Sequence, residues 1–320
     1  MSGKCLICGG ACESGENHPS CLHGLFGSET APSFAYSIDE LNRMAEKLVL
    51  SRMSVPGVQA KLSVHVERGM NGADRMTLVG LEGNYILKLP SGMYPELPEA
   101  EHFAMTLARA CGIETADFGL VRLANGALAY VTRRMDREAG VKHMEDMCQL
   151  TERRTERKYF GSYEQIAKCI GKYSSVPGRD ISAFFDELLF CYLIGNSDMH
   201  LKNFSLIREH DGEWHLSKAY DLVPVKTVMP ADEDDLALTV NGKNRKLRLG
   251  DFRKAADSMR FTPVQFSRSL KRVTTGVRQH LDEALARSFL SDDFKTRLVG
   301  LVGENLKVLE AAQDAAVAER

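Results

Sequence analysis

Apolar and polar residues alternate with a period of two in several short segments before about residue 137. Leu62, Val64 and Val66 alternate with polar positions, and the segment 83–90 (GNYILKLP) is a short apolar run that ends at a proline. Both patterns are typical of strands. Asn125–Gly126 lies between two further apolar runs, and this dipeptide predicts a tight hairpin. We therefore expect an antiparallel sheet in this part of the chain.

Helical spacing appears at 38–52 and at 98–113. The second segment begins with acidic residues, as the helix dipole favours, and is expected to cover the sheet. Further along, the segments YEQIAKCIGKY and ISAFFDELLFCYLIGN predict helices, and from Phe252 the chain is mainly helical. Between them, alternation on both sides of Asp211–Gly212 predicts a second hairpin. The pattern indicates an α+β fold, with a small β-rich lobe followed by a larger helical lobe.

Composition narrows the class of protein only a little. The 320 residues are 44% hydrophobic and 26% charged, which are ordinary globular values, and the net charge of −2 does not mark a nucleic-acid binder. The longest apolar run, at 184–194, is interrupted by two acids and is too short to span a bilayer. The first residues lack the apolar core of a signal peptide. We therefore expect a cytoplasmic protein whose eight cysteines are reduced thiols or metal ligands.

Four of these cysteines, and two histidines, crowd the first 23 residues. The best-spaced set for a tetrahedral structural Zn²⁺ is Cys5, Cys8, His18 and Cys21. Cys12 and His23 are reserve ligands. Because all four positions would be filled by protein atoms, such a site would be structural and not catalytic. The alternative is a reduced, partly disordered tail with incidental cysteines.

The segment 195–224 carries a candidate phosphoryl-transfer motif. Asp198 and Asn203 have the D-x4-N spacing of a kinase catalytic loop, in which the aspartate accepts the hydroxyl proton and the asparagine holds a metal. A hairpin and a second aspartate, Asp221, follow in the same order, and Asn plus Asp suits Mg²⁺. Lys202 is placed to neutralise the transferred phosphate, while His200 is interpreted as a structural residue of the loop. Alone, D-x4-N also arises by chance, so the order of the pieces carries the argument.

A lysine upstream of this segment adds a further kinase motif in the expected order along the chain. Lys88 ends the strand YILK, as does the lysine that pairs with ATP phosphates in kinases, although such a lysine also reaches solvent in many strands. Glu101 is the expected ion-pair partner, because Glu99 lies in the first helical turn and serves the dipole. The only candidate for a phosphate-covering loop, 54–61 (SVPGVQAK), lacks the glycine-rich pattern and reads by spacing as an ordinary turn.

Seven motifs together resemble the HipA family of serine/threonine kinases, the toxins of bacterial toxin–antitoxin systems. They are SVPGVQAKLSV, YILKLP, EAEHFAMTLARACG, RRMDR, HMEDMCQL, GNSDMHLKNFSL and YDLVP, in the order of the family. The resemblance implies a two-lobed, protein-kinase-like fold. We place the Cys/His segment at 1–28, the β-rich lobe at 29–137 and the helical lobe at 138–320.

The resemblance also implies the roles of single residues. ATP and Mg²⁺ are the expected cofactors, with Asp198 as base, Asn203 and Asp221 as metal ligands and Lys88 on the ATP phosphates. The loop 54–61 is then the nucleotide loop, with candidate contacts from Ser54, Gly57, Gln59 and Lys61. Ser54 matches the serine that is autophosphorylated in the family, and Pro56 excludes a second phosphorylated serine of the S-x-S-G arrangement.

The implied partners follow the family. They are a helix-turn-helix antitoxin, an aminoacyl-tRNA synthetase as substrate, and DNA only through the antitoxin; no membrane is expected. The chain resembles the compact HipT-like form, whose missing N-terminal subdomain is supplied by a separate small protein. Two other functions stay open: a small-molecule or lipid kinase, favoured by the D-x-H-x-x-N form of the loop, and a non-catalytic binding subunit of a repressor complex.

Overall fold

The fold was analysed in a computed structural model, which describes residues 3–34, 36–41, 43, 61–69, 74–79 and 82–311. The chain divides into two compact units. Unit 1 comprises Met1–Phe103, Ala116–Ala139 and Ala286–Leu290, and unit 2 comprises Ala104–Thr115, Gly140–Leu285 and Ser291–Arg320.

Unit 1 is built on a five-stranded antiparallel sheet. Its strands, which lie in the order β4-β3-β5-β7-β6, are β3 (Lys61–Glu67), β4 (Arg75–Leu78), β5 (Tyr85–Lys88), β6 (Phe118–Arg122) and β7 (Leu128–Arg133). Leu62, Val64 and Val66 are buried on one face of β3, as their alternation predicts. The hairpin predicted at Asn125–Gly126 joins β6 to β7 and is confirmed.

The remaining elements of unit 1 frame this sheet. A two-residue ladder of β1 (Gly3–Lys4) and β2 (Ala11–Cys12) precedes the short helix α1 (Pro19–Phe26). Helix α2 (Leu97–Ala110) follows β5, and its residues up to Phe103 belong to unit 1. The described residues of the predicted helix at 38–52 are helical at 38–41 and 43, and the others lie outside the described residues.

Unit 2 combines a small sheet with helices. Strands β8 (Met144–Asp146), β9 (Ser205–Arg208) and β10 (Trp214–Leu216) pair antiparallel in the order β10-β9-β8. The helices are α3 (Met147–Leu150), α4 (Tyr163–Tyr173), α5 (Pro177–Ile194), α6 (Val225–Val228), α7 (Leu249–Ser258), α8 (Pro263–Arg287) and α9 (Asp292–Glu310). The second half of α5 is almost wholly buried, so this helix forms the core of the unit.

The hairpin predicted at Asp211–Gly212 is confirmed by the pairing of β9 with β10. Several short elements were not predicted: α1, α3, α6, β1, β2, β4 and β8. Helix α5 begins at Pro177, four residues before the expected start, because a proline at the first helical turn is compatible with helix geometry. Within the described part of the chain, no helix is both long and apolar enough to cross a membrane.

Candidate active site

The end of helix α5 sets the course of the candidate catalytic loop. Gly195 caps the helix in the left-handed region (φ 69°), and a Cβ at this position would lie 2.6 Å from Leu301 Cδ2. Glycine meets both demands. The buried Asn196 then donates its backbone N–H to Cys191 O (2.8 Å) and accepts the N–H of Asp198 on Oδ1 (3.3 Å). These bonds fix the backbone of Asp198 at the end of a buried helix.

The D-x4-N segment closes on itself. Asn203 Nδ2 donates to Asp198 O (3.0 Å), and the N–H of His200 donates to the same carbonyl (2.8 Å). The residues 201–203 form a 3₁₀ turn, and Asn203 is buried. These bonds hold the Asp198 backbone against the Asn203 amide, so that both side chains belong to one rigid turn.

Tyr159 contacts the predicted base and was missed by the sequence analysis. Its hydroxyl donates to Asp198 Oδ1 (2.6 Å), and its ring lies edge-on to the His200 ring at 5.0 Å. Burial raises the pKa of Tyr159 well above its usual range, and the Asp198, Asp221 and Asp232 carboxylates add to the shift. The phenol therefore stays a donor at neutral pH. No local spacing marks Tyr159, since 39 positions separate it from Asp198.

Asp221 lies on the same scaffold. Tyr220 donates its hydroxyl to Lys202 O (2.9 Å) and contacts Ser205 Oγ (2.6 Å), which ties the segment before Asp221 to residues on both sides of Asn203. Asp221 itself has φ of 61°, a left-handed conformation that is unfavourable for a residue with a Cβ. Such backbone strain persists only where the surroundings enforce it.

Lys202 makes a contact that the sequence did not predict. Its Nζ lies 2.5 Å from Asp146 Oδ2, and Asp146 is also the N-cap of α3, where it accepts the N–H of Gln149 (2.9 Å). The ammonium thus bonds to a carboxylate that is itself fixed by a helix end. The role of Lys202 toward a phosphate stays a prediction.

In unit 1, Lys88 and Glu101 form a buried ion pair. Lys88 Nζ lies 2.5 Å from Glu101 Oε1, and the residues are 3% and 1% exposed. Strand pairing places Lys88 opposite Tyr130, whose ring centroid is 5.3 Å from the ammonium. Burial raises the pKa of Glu99, the other candidate partner. The role of the Lys88–Glu101 pair toward a nucleotide stays a prediction.

Three residues of the predicted nucleotide loop, Ser54, Gly57 and Gln59, lie outside the described residues. Lys61, the fourth, is the exposed first residue of β3 and pairs in register with Lys88.

The structure also brings together Cys5, Cys8, His18 and Cys21. One ligand atom from each of these residues lies within 4.8 Å of all the others. Cys12 is not a member of this set: its thiol donates to Ser14 O at 3.2 Å. His23 is exposed on α1.

Comparison with known proteins identifies the family. The family model of the HipA-like C-terminal domain matches residues 53–281. "Putative kinase Y4dM" of Sinorhizobium fredii (strain NBRC 101917 / NGR234) is 34% identical over 209 residues, which are 61% of this chain and 50% of that protein. A "Putative kinase" of Haemophilus influenzae (strain ATCC 51907 / DSM 11121 / KW20 / Rd) is 32% identical over 186 residues, 54% of this chain and 53% of that protein. The chain spans about half the length of these curated relatives.

A solved structure shares the fold. A chain in the Shewanella oneidensis MR-1 toxin–antitoxin complex of HipA, HipB and operator DNA matches with a TM-score of 0.68 at 22% identity, over 83% of this chain and 70% of that chain. The two-lobed, kinase-like α+β fold expected from the sequence is thereby confirmed. Since the family model covers most of the sequence, the chain belongs to the family of proteins with a HipA-like C-terminal domain, as its motifs predict.

Proposed function

We propose that the protein is an ATP- and Mg²⁺-dependent serine/threonine protein kinase that acts as the toxin of a toxin–antitoxin system. One observation carries the proposal: Asp198 and Asn203 share a rigid turn at the end of a buried helix, and Tyr220 ties the segment that leads to Asp221 to the same turn. This order of base, amide and second carboxylate is what phosphoryl transfer requires. The kinase names of the curated relatives support it.

In this proposal each side chain has one task. The Asp198 carboxylate accepts the proton of the acceptor hydroxyl. The hydroxyl oxygen bonds to the γ-phosphorus of ATP as the bond between that phosphorus and the bridging oxygen breaks and ADP leaves. Asn203 and Asp221 offer the hard oxygen ligands that Mg²⁺ prefers and would hold the ion, which would neutralise phosphate charge when bound. Lys88, oriented by Glu101, binds the phosphates of ATP.

The partners are also proposed. The solved relative is in complex with HipB and operator DNA, which supports a helix-turn-helix antitoxin as the partner of this chain. From the family resemblance we propose an aminoacyl-tRNA synthetase as substrate, a separate small protein as a further partner, and self-inactivation through phosphorylation of Ser54.

Labelled ATP tests the proposal. The wild-type protein, incubated with γ-labelled ATP, Mg²⁺ and a cell lysate, should label itself and at least one lysate protein. Asp198→Asn should abolish both signals and leave the thermal unfolding midpoint unchanged. Persistent labelling by Asp198→Asn would overturn the assignment of the base.

The D-x-H-x-x-N form of the loop keeps a second candidate, a small-molecule or lipid kinase. His200 within this motif is buried and packs on Tyr159, which is a structural contact. Turnover of a small alcohol with no labelled protein would favour this candidate. Partner binding without any ATP turnover would instead favour a non-catalytic subunit of a repressor complex.

A further inference from the structure

We propose that Cys5, Cys8, His18 and Cys21 bind one structural Zn²⁺, and that the segment 3–27 built around it, here termed the zinc clamp, holds the strand and the helix that carry Lys88 and Glu101. The four ligands are separate from the proposed catalytic residues. Only the consequence for nucleotide affinity rests on the proposed function.

The spacing of the ligand atoms fits the metal. His18 Nδ1 lies 3.4 Å from Cys8 Sγ and 3.7 Å from Cys21 Sγ, and all four ligand atoms lie within 4.8 Å of one another. A tetrahedral zinc ion with ordinary Zn–S and Zn–N bond lengths places sulfur and nitrogen ligands about 3.5 Å apart. Three thiolates and one imidazole form a closed structural set, with no position for a substrate.

A hydrogen bond orients His18 for this task. Its Nε2 lies 2.8 Å from Ala11 O, and a carbonyl oxygen accepts only from a protonated ring nitrogen. The proton is therefore on Nε2, which leaves the lone pair of Nδ1 directed at the sulfurs. Metal-binding histidines are commonly fixed in this way by a carbonyl or carboxylate on the second ring nitrogen.

The backbone supports the cysteines as well. The N–H of His18 donates to Cys5 Sγ (3.4 Å), and the N–H of Cys5 donates to Gly10 O (2.8 Å), which closes the turn that contains Cys8. Gly9 in this turn has φ of 69°, and a Cβ there would lie 2.4 Å from Arg287 O. Only glycine fits such a position.

The first contact of the clamp reaches helix α2. Ile7, between the ligands Cys5 and Cys8, accepts on its carbonyl the Nε2–H of His102 (2.9 Å). His102 is 1% exposed, and its ring packs edge-on against Phe118 (5.4 Å) and Phe289 (5.7 Å). It directly follows Glu101, so the metal-binding turn bonds to the residue next to the Lys88 partner.

The second contact of the clamp reaches strand β5. Helix α1 contains Cys21, and Leu25 O near its end accepts the hydroxyl of Tyr85 (3.0 Å) and Nε of Arg133 (3.1 Å). Tyr85 is the first residue of β5, and Lys88 is the last. One metal ion would therefore fix both elements that bring Lys88 and Glu101 together.

Metal analysis tests the site. Full-length protein, freed of any histidine tag and passed over a weak chelator, should carry about one Zn²⁺ per chain, and Co²⁺ should give the absorption of tetrahedral thiolate coordination. Cys21→Ser should lose the metal, while His23→Asn, on the same helix but outside the ligand set, should retain it. Zinc-free wild-type protein, or full retention by Cys21→Ser, would overturn the site.

Hydrogen exchange tests the clamp without any kinase assay. Removal of zinc with a strong chelator should speed amide exchange in β5 and at 97–103 of α2, and addition of Zn²⁺ should reverse the change. Helix α9 in unit 2 serves as the internal control. Unchanged exchange in β5 and α2 after proven metal loss would overturn the clamp, as would a rise spread equally over β3 and β4. If the proposed function also holds, the affinity for ATP should fall with metal removal.

Discussion

At the scale of single residues, Tyr159 changes the picture of the catalytic loop most. Its hydroxyl donates to Oδ1 of Asp198, one of the two oxygens of the carboxylate that the proposed mechanism assigns as the base. The raised pKa keeps the phenol protonated at neutral pH, so this hydrogen bond to a charged group persists under working conditions. We interpret Tyr159 as a positioning residue that fixes the orientation of Asp198.

Tyr159→Phe removes this hydrogen bond and keeps the ring. We expect phosphoryl transfer to slow about 10- to 100-fold, since a hydrogen bond to a charged group contributes about 1.5–3 kcal/mol, with little change in ATP affinity. Single-turnover kinetics and calorimetric ATP titration measure the two effects. Tyr173→Phe, at the exposed end of α4, is the matched control. A faster Tyr159→Phe enzyme would show instead that the tyrosine blocks the base.

The two glutamates at the start of α2 offer a matched pair. Glu101→Gln removes the carboxylate from the buried Lys88–Glu101 ion pair, and breaking such a pair costs about 3–5 kcal/mol. Glu99→Gln changes a glutamate in the first turn of α2, where losing the interaction with the helix dipole should cost less than about 1 kcal/mol. Urea unfolding and ATP titration compare the variants. Equal losses in both variants would contradict the special role of Glu101.

At the scale of elements, helix α5 contains a buried acid, Glu187, that should make the free energy of unfolding depend on pH. Glu187 is 4% exposed, and within the described structure its Oε1 has no hydrogen-bond partner. Burial raises its pKa from 4.5 to about 8. The native state therefore holds the proton of Glu187 more tightly than the unfolded chain does. The contribution of this group to the free energy of unfolding is fully present below about pH 4.5 and is lost as the pH rises toward 8.

Glu187→Gln replaces this acid by a neutral side chain of nearly the same shape. The wild-type free energy of unfolding should fall by about 2 kcal/mol between pH 6 and pH 8 through this group, and the variant should lack that part of the slope. Urea unfolding at both pH values measures the difference. Parallel pH profiles for the two proteins would show that Glu187 does not titrate in this window.

The sequence predicted the elements that carry strong local signals. Alternation along β3 and the Asn-Gly turn between β6 and β7 follow directly from side-chain direction and turn geometry. Strand β8 has three residues and pairs with β9 more than 50 positions later, so its pattern is too short to read. Helix α1 has no side-chain N-cap, and contacts from Tyr85 and Arg133 support it instead.

In the candidate site, too, contacts between residues close in sequence were predictable and contacts between distant residues were not. Asp198 and Asn203 are five positions apart, so their joint turn was predictable from spacing, as was the succession of Lys88 and Glu101. The Tyr159–Asp198 and Lys202–Asp146 contacts join residues 39 and 56 positions apart. Such contacts depend on tertiary packing, which leaves no periodic pattern in the chain.

At the scale of the whole molecule, each compact unit carries a different share of the chemistry. Unit 1 contains the Lys88–Glu101 pair and the cysteine cluster, and unit 2 contains the turn from Asp198 to Asn203. Ala286–Leu290 belongs to unit 1 although it lies late in the sequence. Domain boundaries inferred from the sequence fall where the composition changes, and no such change marks a short segment that returns to the first unit.

Self-inactivation would act on the whole protein through one residue, Ser54, which the family resemblance assigns. Phosphorylation there adds nearly two negative charges, which should repel the phosphates of ATP. We expect wild-type activity to decay as mass spectrometry detects phospho-Ser54, while Ser54→Ala keeps a constant rate and Ser54→Asp starts low. Ser51→Ala, three residues upstream, is the control and should decay like the wild type. A Ser54→Ala enzyme that decays at the wild-type rate would place the inactivating event elsewhere.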